Sequence, residues 1–150
     1  MEKTFELKAI KIDLFGVDCK YRTSETDDEN LTVEQEYHVK VSRPIHPDLR
    51  KLFEDDLTVI AERILNIPDS PKIVPTGVSF AGKNDNVGLS IIGELQTGFG
   101  RVTFKTPRIK YKTGTSDVCA RLTVFADAIV SEANAYLFEG KTAEMEVFGE

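Results

Sequence analysis

Cysteine is scarce in this chain, Cys19 and Cys119 being the two among 150 residues. Two are too few for a disulfide scaffold, and they fit a reducing cytoplasm in which small thiols are buried. No apolar run approaches the ~18 residues that a membrane span requires. Met1-Glu2-Lys3-Thr4 opens into alternating charge instead of a basic start and an apolar signal segment, so neither secretion nor membrane insertion is expected. Histidine is equally rare. Cys19, His38, His46 and Cys119 are scattered singly, so no clustered zinc ligands appear, and neither a metal nor a cofactor is expected. Gly82, Gly88, Gly93, Gly98 and Gly100 fall among strand signals, and neither Gly-x-x-x-x-Gly-Lys-Ser/Thr nor Gly-x-Gly-x-x-Gly occurs. That excludes nucleotide binding by the phosphate-cradling loops that lead into a helix.

What is present is an ordinary globular composition, with 41% apolar and 29% charged residues. The length suits one domain spanning residues 1–150 and leaves too little chain for a second full core. A formal charge of −6 argues against a generic polyanion binder, but the average hides an asymmetry. From Glu25 to Glu36 there are six acids and no base, and from Arg101 to Lys112 there are five bases and no acid. Such blocks are commonly solvated faces, and they are also what charge-steered docking uses.

Along the chain, Phe5 to Phe15 reads as a strand whose apolar phase slips near Ala9, which predicts a bulge. The polar stretch Gly16 to Asn30 has no apolar anchor from Thr23 onward and is expected to be an exposed loop. Leu31, Val33, Gln35, Tyr37, Val39 and Val41 then alternate with polar residues, as in a strand with one wet face. Pro47 suits the first turn of a helix over residues 47–65, whose apolar positions recur at three and four and which Asn66 and Pro68 close. Strands over Ile73–Ala81 and Val87–Leu95 flank the tip Gly82–Asn86, and a second tip, Gln96-Thr97-Gly98-Phe99-Gly100, uses its glycines for positive φ.

In the basic strand that follows, Val102 and Phe104 differ in parity from Ile109 and Tyr111. Pro107 should therefore mark a break that returns the apolar face inward and leaves every base outward. A helix over residues 116–139 takes Ser116 as N-cap, carries Val118, Leu122, Phe125, Ile129, Ala133 and Tyr136 on one side, and stops at Gly140. The fold predicted is α+β: an antiparallel sheet of five or six strands, in the order ββαβββα, with both helices packed on one face.

For catalysis, Cys119 at a helix start is a possible nucleophile with His38 or His46 as base, but nothing in the sequence brings them together. The adjacent carboxylates Asp55-Asp56 diverge on a helix and Asp27-Asp28 lack fixed geometry, so no catalytic residue is assigned and a small hydrolase ranks last. Two features rise above this background. Arg101, Lys105, Arg108, Lys110 and Lys112, with Phe99 on the adjoining tip, combine charge for phosphates with a ring for bases, as in a single-stranded nucleic-acid groove. The same run also suits a protein partner or plain sheet surface.

The second feature is the tail Glu144-Met145-Glu146-Val147-Phe148. Met145, Val147 and Phe148 either dock on a partner by strand addition or pack inward as a last, extended strand. The tail resembles the pentapeptide by which bacterial replication proteins dock on the sliding clamp, usually Gln-Leu-Ser/Asp-Leu-Phe, with Glu144 where glutamine is usual. The block from Tyr136 to Phe148, preceded by Thr106-Pro107-Arg108-Ile109 and a long helix, is similar to the C-terminal half of small phage and prophage proteins, over about a third of the chain. That resemblance implies a mobile-element origin in a bacterial host, among accessory genes of replication or recombination, and carries over no catalytic residue. The expectation is a non-enzymatic binding module for single-stranded nucleic acid or a replication partner. The alternative is a self-assembling structural protein in which the acidic run of one copy meets the basic run of another.

Overall fold

Alternating apolar and polar residues build two antiparallel meanders. The first is β1 (Glu2–Ile12), β2 (Val17–Thr26) and β3 (Thr32–Val41); the second is β4 (Lys72–Ala81), β5 (Gly88–Thr97) and β6 (Gly100–Lys105). In the computed structural model, which describes residues 2–13, 16–66 and 72–140, β1 pairs with β4. The six strands thus form one antiparallel sheet in the order β3-β2-β1-β4-β5-β6. The class is α+β, as the sequence predicts, with one strand more before the first helix.

Register gathers the apolar phase of the central strands on one face. Ile10 lies opposite both Cys19 and Val78, Val78 opposite Ile91, and Phe80 opposite Leu89. Against this face pack two helical segments. The first runs from α1 (Pro47–Lys51) through a π turn (Leu52–Leu57) into α2 (Thr58–Leu65), and the second is α3 (Asp117–Phe138). Leu49, Phe53, Leu57 and Ile60 meet Leu122, Phe125, Ile129 and Tyr136 there, all of them buried. Burying each such side chain contributes roughly 1.5–3 kcal/mol, which holds the helices to the sheet. Asn66 ends α2 in the left-handed region, at φ 45°. The wide turn, where the Thr58 hydroxyl donates to Phe53 O at 3.3 Å, interrupts the helix predicted over 47–65. Nothing in the apolar spacing signals it.

The segment read as a loop from Gly16 to Asn30 is strand as far as Thr26. Val17, Cys19 and Tyr21 are enough to anchor it, because β1 and β3 flank it and pair with its backbone from both sides. Only Asp27 to Leu31 remains a turn, in which Asp27 Oδ1 accepts from the Glu29 and Leu31 amides. The bulge predicted near Ala9 is present between Leu7 and Ala9. On β3 the helix side is only partly covered: Val39 and Val41 are half-buried, whereas Val33 is 60% exposed. Among the described residues α3 meets β3 at the strand's last residue, where the Tyr136 hydroxyl donates to Val41 O at 3.4 Å, and the end of α3 lies over β1 and β2, with Phe138 edge-on against Phe5 and Tyr21.

The strand predicted over 101–112 ends at Lys105, although the chain keeps following β5. Thr106 N donates to Ile91 O at 2.9 Å, and Ile109 exchanges backbone hydrogen bonds with Leu89 at 3.0 Å. Because Lys105 faces Ile92 while Ile109 faces Leu89, one extra residue is accommodated at Pro107–Arg108. Ile109 and Tyr111 are thereby turned inward, as their parity requires. Gly100, at φ 134°, supplies the left-handed conformation of the second tip, which Gly98 does not. Ser116 caps α3 by accepting from Cys119 N at 3.2 Å, and Gly140 follows the helix at φ 70°. Among the described residues no helix is long and apolar enough to cross a membrane.

Candidate nucleic-acid interface

The helices occupy one face of the sheet, and the opposite face carries the polar phase of every strand. Across it, Lys40, Asp18, Lys11, Gly77, Ile92 and Lys105 lie in one row from β3 to β6. His38, Lys20, Ala9, Ser79 and Ser90 form the neighbouring row. Five inter-strand steps of ~4.8 Å make the first row about 24 Å long. Its centre is floored by small residues, over which long basic stems lie flat. A Cβ on Gly77 would stand 2.7 Å from Lys11 Cγ, and one on Gly88 would stand 2.5 Å from Arg108 Cγ. The missing side chains are what let these stems cross the sheet, with Lys11 and Arg108 exposed at the surface.

Of the five bases singled out in the sequence, Arg101 and Lys105 project from this open face of β6. Arg108 crosses Gly88, and Lys110 is exposed with a parity opposite to the inward Ile109 and Tyr111. Lys112 does not join them. It lines, with Tyr111, Lys83 and Asp127, an open cleft of about 540 Å³ of mixed charge near the point where β1 and β4 part. Phe99 is fully exposed on the β5–β6 turn. Phe104 is half-buried and Tyr111 buried, so neither offers a free ring; burial, and secondarily the charge of Asp127, raises the Tyr111 hydroxyl pKa. Met145, Val147 and Phe148 lie outside the described residues.

Ion pairing divides the bases of the open face into two sets. Arg101 sits 3.7 Å from Glu94. Arg22 reaches Glu36 at 2.8 Å and Glu6 at 3.8 Å, and the hydrogen bond to Glu36 leads the upward shift of its pKa. His38 Nε2 meets Asp18 Oδ1 at 2.6 Å. Among the described residues, no carboxylate lies within 4.0 Å of Lys11, Lys20, Lys40, Lys105, Arg108 or Lys110. Lys11, Lys20 and Lys40 escaped the sequence reading. Each stands in the polar phase of its strand, but only register shows that this phase shares a face with β6.

The residues considered for catalysis are kept apart. Cys119 is buried at the start of α3 on the helix side, while His38 lies on the open face with the sheet between them. His46 is buried, and its Nδ1 accepts from Asp48 N at 3.0 Å to cap α1. Burial, helped by the charge of Asp18, pushes the Cys19 thiol up to about 12, which makes it a poor nucleophile. Among the described residues no three His, Cys, Asp or Glu side chains converge as metal ligands.

No family model, curated protein or solved structure matches this chain. The functional reading therefore stands on the geometry of the face and its charges.

Proposed function

We propose that this chain is a non-enzymatic binding module that lays single-stranded nucleic acid across the open face of its sheet. Lys40, Lys20, Lys11, Lys105, Arg108 and Lys110 would hold phosphates, and Phe99 would offer a ring to an unstacked base. The observation that carries this reading is a set of six cations, unpaired among the described residues, on a face that no described helix covers, in a protein with net charge −6. A shallow floor of Gly77, Ala9, Ser79 and Ser90 leaves room for a backbone to lie against them. The resemblance of the C-terminal block to phage and prophage proteins supports a place among the accessory proteins of a mobile element, acting beside replication or recombination.

Fluorescence anisotropy of a labelled oligothymidylate at low salt tests the reading. The wild type should bind, Lys11→Glu with Lys40→Glu should weaken binding severely, and a duplex of equal length should compete less well because its bases are already stacked. Absence of binding at low salt removes the proposal. A second reading, a self-assembling protein, is favoured by one observation: the acidic residues Glu34 and Glu36 lie on β3, at the other end of the sheet from β6.

A further inference from the structure

Among the described residues no strand pairs with the outer edge of β3 or of β6, and these two edges complement each other. Among the described residues, eight large hydrophobic side chains are exposed, and five of them belong to these strands or the turns leading into them. They are Leu31, Val33 and Tyr37 at β3, and Phe99 and Val102 at β6. Unpaired strand edges flanked by apolar side chains are templates for pairing with another chain. Charge selects the partner. On the open face β6 presents Arg101 and Lys105, and β3 presents Glu34 and Glu36.

We infer that copies of this chain add edge to edge, β6 of one pairing antiparallel with β3 of the next. Strand direction alternates across all six strands, because every pair is antiparallel. With an even number of strands, β6 and β3 run in opposite directions, so a simple translation places the β3 of the next copy antiparallel to β6. The same translation keeps all helices on one side. Setting Lys105 opposite Glu34 brings Thr103 opposite Glu36 and Val102 opposite Tyr37, because directly opposed residues of an antiparallel pair share a face. Base then meets acid on the open face while valine meets tyrosine on the helix side. The contact is heterologous, so the product is a closed ring or an open filament depending on the twist between copies. This inference deepens the assembly reading and does not depend on nucleic-acid binding.

The test is sedimentation of the full chain over a range of concentrations, using Lys105→Glu and Glu34→Lys. Neither residue makes an ion pair among the described residues of one copy, so neither change breaks one, and melting temperatures of both variants close to the wild type check that each is folded. Wild-type mass should rise with concentration. Each variant alone sets like charges opposite each other and should weaken association roughly five- to tenfold. An equimolar mixture should recover wild-type association, since the reversed charge on β6 of one variant meets the reversed charge on β3 of the other, and the second interface keeps its native pair. A wild type that stays monomeric throughout sinks both the assembly reading and the edge contact. An oligomer that neither substitution weakens keeps assembly and rejects this interface, and a mixture no stronger than its components rejects it as well. Oligonucleotide binding by Glu34→Lys should persist in every case where the nucleic-acid reading holds.

Discussion

If the open face binds single strands through its unpaired cations, the salt dependence of binding counts them. Each phosphate neutralised on a single strand contributes ~−0.7 to the slope of log affinity against log salt, so Lys11, Lys20, Lys40, Lys105, Arg108 and Lys110 together imply a slope of about −4. Raising salt from about 50 to about 200 mM should then cost affinity roughly 300-fold. Replacing Lys105 and Arg108 by alanine removes two contacts, so the slope should fall to about −3 and the same rise in salt should cost only about 50-fold. Anisotropy titrations of a labelled oligothymidylate at several salt concentrations measure both slopes. Lys51→Ala, on the helical side of the molecule, is the control and should leave the slope unchanged. A wild-type slope near zero, or a double variant with the wild-type slope, would refute the argument that these side chains act together on phosphates.

Gly88→Val places a side chain against Arg108 and the Ile109 carbonyl, so the segment after β6 should be pushed off β5; a lower melting temperature and a reduced salt slope should appear together. Asp117 is held below the ordinary aspartate pKa of 3.8, chiefly by its hydrogen bond from Arg121 and further by the charge of Arg63, against a partial upward pull from desolvation. Its contribution to stability should therefore be complete above that value and disappear as pH falls through the lower folded one. Denaturant midpoints of Asp117→Asn should accordingly converge on the wild type in acid and fall below it near neutrality. Cys19, with its thiol near 12, should resist iodoacetamide at mildly alkaline pH until the protein unfolds. Rapid alkylation of the native protein at Cys19 would contradict the burial of this position between β1 and β3.

The parts of the fold legible in the residues are those with long uninterrupted periodicity. The apolar face of α3, the alternation of β3, the bulge beside Ala9 and the break at Pro107 all follow from local spacing, since each depends on residues within a turn or two of one another. β2 is not legible in this way because three alternating apolar residues, Val17, Cys19 and Tyr21, are followed by a polar stretch whose strand conformation is imposed by neighbours on both sides. That pairing joins segments distant in the chain, so no window of the sequence contains it. The basic run from Arg101 to Lys112 is visible as composition, yet four of its members share the open face and Lys112 does not.

By itself, the order of residues determined which side of α3 and of the periodic strands is apolar, where the Ser116 cap and the Pro107 break fall, and that acid and base occupy separate stretches. Tertiary pairing alone decided that Lys11, Lys20 and Lys40 stand beside Lys105, and that Glu34 and Arg101 belong to opposite ends of one sheet. The physical reason is that alternation fixes a side chain's direction relative to its own strand, whereas its neighbours across strands are set by hydrogen-bond register, which is chosen by the burial of the other face.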